Sequence, residues 1–236
     1  MVLGLIPARG GSKGIPGKNL VDVGGRPLLD YSLALAEACV ELDRVILSTD
    51  IPEAIEWARR HYRRIETPFV RPKPLCGPKA TQDQVVLHAI DFLERTEGER
   101  VETVVLLQPT CPFRNVDEVE RAIRRFKTRR LNSLVGVSRV WHHPSDYVYK
   151  DAAREGELRF VFRKASWKQR QDYPPVWFIT GALYICRVAN LRRGGKFLDR
   201  QTELFPMSDE TMIDIDNPFD LELARGYAAR RPKTRD

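Results

Sequence analysis

No apolar run in this 236-residue chain approaches the ~20 residues a membrane-spanning helix needs, so no transmembrane segment is expected. Cysteine is scarce and scattered. Cys39, Cys76, Cys111 and Cys186 form no Cys-x-x-Cys pair, which argues against a zinc site and a disulfide scaffold. No internal repeat or low-complexity linker is visible. The dinucleotide fingerprint G-x-G-x-x-G is missing, and so is a Walker A loop: Gly17-Lys18 lacks the upstream glycine, and Asn19 stands where Ser or Thr is required. Residues 1–7 carry no basic leader and read as a first core strand rather than a signal peptide. A reducing, cytoplasmic setting and no membrane partner are therefore expected.

Positive charge is plentiful. With 39 Lys and Arg against 32 Asp and Glu, the formal net charge of +7 suits an anionic partner. Arg121, Arg124, Arg125, Lys127, Arg129 and Arg130 cluster on and after one helix. They read as a solvated face rather than a nucleic-acid stripe, because no recognised binding motif accompanies them. The basic end, 229–236, reads as a tail.

The first half alternates strand and helix. Strands are expected over 2–7, 44–48 and 102–108, and helices over 27–40, from Pro52 to about residue 62, over 81–94 and over 116–127. Thr81 and Gln84 are spaced as a capping box. This alternation predicts an α/β fold, a mostly parallel sheet covered on both faces, with ligands bound beyond the carboxyl ends of its strands. After Ser133 the pattern breaks into short strands over 135–140, 147–149 and 158–162. Aromatics are dense from Trp141 to Phe178, so an excursion from the sheet, a hairpin arm, is expected. Strands over 181–186 and 211–215 and a closing helix over 218–229 complete the reading.

Two segments carry chemistry. The run Ile6-Pro7-Ala8-Arg9-Gly10-Gly11-Ser12-Lys13-Gly14-Ile15-Pro16-Gly17-Lys18-Asn19 directly follows a strand. Its glycines allow sharp turns that aim backbone N–H groups at an anion, and Arg9, Lys13 and Lys18 add three cations, a composition suited to a triphosphate. The second is Ile213-Asp214-Ile215-Asp216. On a strand, alternation would put both carboxylates on one face and both isoleucines in the core. Paired carboxylates want a cation between them, and Mg2+ is the natural one. The pair alone is equally well read as a strand end with Asp216 capping the next helix; beside a phosphate-type loop, metal binding is the better reading. His142 and His143 are adjacent and would point to opposite faces of a strand, which disfavours joint ligation. Cys111 has no evident His partner and is not read as a nucleophile.

The first loop resembles the signature of the acylneuraminate cytidylyltransferases, the CMP-sialic acid synthetase family. Arg71-Pro72 with Ala80-Thr81, Gln108-Pro109-Thr110-Cys111-Pro112-Phe113-Arg114, Gln169-Arg170-Gln171-Asp172, Gly181-Ala182-Leu183-Tyr184-Ile185 and the Asp214/Asp216 pair resemble further family segments in the same order. Cys111 and Phe113 replace the family's Ser and Leu, and Thr180 stands where Asn is frequent.

The resemblance implies a Rossmann-like nucleotidyltransferase domain over 1–228 whose excursion at 139–178 makes a dimer contact and part of the sugar site. It implies transfer of CMP from CTP to the anomeric hydroxyl of an acidic nonulosonic sugar. Arg9, Lys13 and Lys18 would be catalytic. Ala8, Arg9, Gly10, Gly11, Ser12, Lys13, Lys18, Asn19, Arg71, Ala80 and Thr81 would bind the nucleotide, Gln108, Arg170 and Gln171 the sugar, and Asp214 and Asp216 Mg2+. The rival readings are a CMP-KDO synthetase, another sugar nucleotidyltransferase, and a basic nucleic-acid-binding protein. The last gives Asp214 and Asp216 no task.

Overall fold

The computed structural model describes residues 1–12, 14–140, 142–150, 157–161, 174–194 and 196–230. Lys13, Arg170 and Gln171 lie outside them, as do Trp141 and Phe162. A seven-stranded sheet runs in the order β3-β2-β1-β4-β8-β5-β9. Its strands are β1 (Val2–Ala8), β2 (Arg44–Thr49), β3 (Ile65–Glu66), β4 (Thr103–Leu106), β5 (Ser133–Arg139), β8 (Trp177–Arg187) and β9 (Glu203–Pro206). Only β8 is antiparallel to its neighbours, β4 and β5. The helices are α1 (Leu28–Ala38), α2 (Pro52–His61), α3 (Gln82–Thr96), α4 (Val116–Thr128), α5 (Val188–Gly194) and α6 (Pro218–Arg230). The expected α/β architecture is present.

Strand alternation builds the layers. On β1, Leu3 and Leu5 pack with Val86, Ile90 and Leu93 of α3, while Ile6 and Ala8 face the opposite way, toward α1 and α4. Val104 and Leu106 of β4 join the first layer and Val105 the second. Such strands, buried on both faces, read as continuous apolar runs. The capping box of α3 forms as expected: Gln84 N–H donates to Thr81 Oγ1 (3.3 Å) and Thr81 N–H to Gln84 Oε1 (3.0 Å).

The expected hairpin arm is present as β6 (Val148–Lys150) paired antiparallel to β7 (Leu158–Phe160), separate from the main sheet. A turn capped by the ring of His143 precedes it: Ser145 N–H donates to His143 Nδ1 (3.2 Å).

One expected element is corrected. Residues 211–215 form no strand. A 3-10 turn, Asp209–Met212, leads into an extended segment with no ladder, because β9 already occupies the edge beside β5. The alternation is nevertheless real. Ile213 and Ile215 are buried in a third apolar cluster with Ile15, Val23, Leu28 and Phe113. That cluster pins the loop after β1, the loop after β4 and the carboxylate segment to one floor.

Candidate active site

β1 has β2 on one side and β4 on the other, so the connections leaving β1 and β4 diverge and leave a crevice at the carboxyl edge. A cleft of about 360 Å³ opens there. Of the residues anticipated from sequence, Arg9, Ser12, Lys18, Asn19, Arg71, Ala80, Thr81, Gln108, Asp214 and Asp216 line it. Ala8, Gly10 and Gly11 do not. Ala8 is buried in β1, and the Gly10 N–H is spent on Asp50 Oδ1 (2.8 Å). Asp50 directly follows β2 and was not anticipated as a site residue; its place at a carboxyl strand end is the signal that points to it.

Two of the loop's cations, Arg9 and Lys18, are held in place. Arg9 Nη1 donates to the Gly77 carbonyl (3.1 Å), and the buried Asn19 amide donates to the Arg9 carbonyl (2.9 Å). Asn19 thus braces the loop. Lys18 Nζ donates to the Ile215 carbonyl (2.7 Å) and pairs with Asp216 Oδ1 (2.9 Å). Gly14 permits this closure: a Cβ there would fall 2.2 Å from the Asp216 carbonyl oxygen. Arg71 is 4% exposed, with Nε on Ser48 Oγ (3.1 Å) and Nη2 on the Ser48 carbonyl. Burial lowers its guanidinium below the ordinary range.

Asp214 and Asp216 differ sharply. Ile215 N–H donates to the Thr110 carbonyl (2.9 Å) and fixes the segment against the β4 loop. Burial raises Asp214, the Asp216 charge adds to the rise, and Thr110, Cys111 and Lys18 oppose it. Asp214 Oδ1 is buried with no hydrogen-bond partner among the described residues. The Asp216 side chain is 73% exposed. It does not cap the next helix: Asn217 Oδ1 accepts from the N–H groups of Phe219 (2.9 Å) and Asp220 (3.1 Å), and Asp220 Oδ2 accepts from Asp216 N–H (2.9 Å). The capping alternative for Asp216 is thereby removed. An orphaned carboxylate oxygen beside an exposed carboxylate fits a hard divalent cation. No group of three His, Cys, Asp or Glu side chains accompanies the pair among the described residues, so substrate oxygens and water would supply the other ligands.

Gly181 lies between these groups with φ +78°, and a Cβ there would meet Gln108 Oε1 at 2.9 Å, Cys111 Sγ at 3.4 Å and Asp214 Oδ2 at 3.6 Å. Cys111 is fully buried, its thiol donates to the Thr180 carbonyl (3.2 Å), and burial pushes it far above its ordinary range. It is no thiolate, which agrees with the sequence reading.

A family model described as cytidylyltransferase matches residues 3–172. A pseudaminic acid cytidylyltransferase of Campylobacter jejuni is 30% identical over 222 residues, 94% of this chain and 93% of the relative. A CMP-N,N'-diacetyllegionaminic acid synthase of Legionella pneumophila is 30% identical over 228 residues, 94% of each chain. An N-acylneuraminate cytidylyltransferase of Streptococcus agalactiae is 26% identical across 92% of this chain, which spans half the relative's length. The structure of a CMP:2-keto-3-deoxy-manno-octonic acid synthetase complexed with CTP superposes with a TM-score of 0.68 at 15% identity, over 97% of this chain and 98% of the other, and speaks for the fold alone. With a family model covering most of its length and relatives at this identity from end to end, the chain belongs to the cytidylyltransferase family.

Proposed function

We propose that this protein transfers CMP from CTP to the anomeric hydroxyl of an acidic nonulosonic sugar and releases pyrophosphate. The observation that carries the reading is the convergence of Arg9, Lys18, Arg71, Gln108, Asp214 and Asp216 on one cleft in a member of this family. The relatives named for pseudaminic and diacetyllegionaminic acid support the sugar class.

In this reading Arg9 and Lys18, with Lys13 from the same loop, hold the phosphates. Arg71, Ala80 and Thr81 form the nucleoside side, and Gln108, Arg170 and Gln171 serve the sugar. The sugar hydroxyl oxygen bonds to the α-phosphorus in line as the bond to the bridging oxygen breaks. Negative charge grows on the phosphate oxygens, where preorganised cations act most strongly. Asp214 and Asp216 would hold Mg2+, whose charge would neutralise those oxygens.

We also read the protein as a cytoplasmic homodimer. No helix among the described residues is long and apolar enough to cross a membrane. The hairpin exposes Tyr147, Val148, Tyr149 and Leu158, with Val161 just beyond, and such a patch invites a partner.

Titration calorimetry with CTP, UTP, GTP and ATP in magnesium tests the nucleotide half. CTP is expected to bind about tenfold tighter than the others or better, and Asp214→Asn to weaken it. Preference for a purine nucleotide would remove the reading.

A further inference from the structure

Arg114 is an unusual residue to find beneath this cleft. It is 6% exposed, and no carboxylate pairs with it among the described residues. Its Nη1 donates to the carbonyls of Gln108 (2.8 Å) and Ala182 (3.0 Å), and Nη2 donates to Ser32 Oγ of α1. Nε has no hydrogen-bond partner among the described residues. Burial draws the guanidinium down to about 10, against the pull of Cys111 and Asp214, so it stays cationic at neutral pH. An unpaired buried cation is costly, and a neutral side chain of similar volume would fill the space at less expense.

The bonds it makes are what a neutral group cannot supply. Gln108 follows β4, and Ala182 lies in β8 beside Gly181. Here β8 departs from its ladder. Val135 pairs with Tyr184 and Val137 with Ile179, so four β8 residues stand opposite the single residue Gly136. Regular sheet bonding therefore does little to hold this bulge, although Gly181 must meet the Gln108 amide closely. Arg114 joins the two segments through one rigid planar group and ties both to α1. The thiol of Cys111 on the Thr180 carbonyl is a second, weaker tie.

We propose that Arg114 is a positioning residue for the acceptor half of the reaction: it locks the Gln108 backbone to the β8 bulge and so sets where the Gln108 amide meets the sugar. This rests on the sugar-facing role proposed above for Gln108. A lysine keeps the charge but cannot span three acceptors with a planar fork.

The test is a double-mutant cycle of Arg114→Lys with Gln108→Ala, read by steady-state kinetics for the sugar and by calorimetry for CTP. Arg114→Lys is expected to lower kcat/KM for the sugar about 100-fold while the CTP dissociation constant stays within about twofold. The double variant should be no worse than Gln108→Ala alone, within about twofold. Ser32→Ala removes one bond and leaves the cation. It should move the same parameter in the same direction by less, and its own cycle with Gln108→Ala decides the matter if Arg114→Lys does not fold. Multiplicative losses in the cycle, or equal losses of CTP affinity and sugar turnover, would overturn the proposal in an active enzyme. A wild-type protein that binds CTP but uses no acidic sugar would remove the acceptor reading as well, a separable result.

Discussion

Arg9 is held from both ends, its guanidinium by the Gly77 carbonyl and its own carbonyl by Asn19, so it reaches the cleft already oriented. Preorganisation of this kind acts on the transition state. Arg9→Ala is expected to lower kcat by about 10²–10³ with a smaller change in CTP affinity; a variant altered only in KM would reject that role. His88 supports a different prediction, on stability. Its ring packs edge-on against Phe69 at 4.7 Å, and burial, then the Arg71 charge, lowers its pKa, with Asp91 opposing. A histidine depressed in the folded state takes up protons more readily when unfolded. Stability therefore falls as pH drops from the unfolded value of about 6.5 toward the folded one. Thermal melts from pH 7 to pH 5 should decline less steeply for His88→Asn than for the wild type. Equal slopes would mean that His88 titrates alike in both states.

At the scale of elements, caps and periodic helices were legible because their signals are local. The Thr81 and Gln84 capping box formed as spaced, so Thr81→Ala should cost about 1 kcal/mol in denaturant unfolding, and an unchanged midpoint would contradict it. The carboxylate segment was legible in burial but not in hydrogen bonding. Alternating Ile213 and Ile215 record a core contact, and a core contact does not require a ladder. Whether residues 211–215 or the unanticipated β9 took the edge depended on pairing with β5, a contact about seventy residues away in the chain. Asp50 and Arg114 were missed as site residues for a related reason. One works through a single backbone N–H in another loop, the other through carbonyls brought together only by the β8 bulge.

Across the whole molecule, the positive balance divides into two kinds of charge. On α4 and just beyond it most of the cations are matched: Lys127 meets Glu41 at 2.7 Å, Arg124 meets Glu41 and Glu120 at 3.3 Å, and Arg129 meets Glu203 at 2.6 Å. Paired, exposed charges of this sort contribute little to stability and form an ordinary solvated face. In the cleft, Arg9 and Arg71 are fixed by backbone carbonyls and the Ser48 hydroxyl, which leaves their charge to act on an anion, while Lys18 shares its charge with Asp216. The hairpin belongs to this scale too. Leu158→Asp, at a position 59% exposed, should shift the proposed dimer toward monomer in light scattering while leaving the melting temperature nearly unchanged. A monomeric wild type would end the dimer reading. Which acidic sugar the cleft accepts is settled most directly by following pyrophosphate release with CTP and magnesium, offering N-acetylneuraminate, legionaminate, pseudaminate, KDN and KDO in parallel. The account predicts release with a nine-carbon acid. Release with KDO alone, or silence with all five from folded protein that also fails to bind CTP, would contradict it.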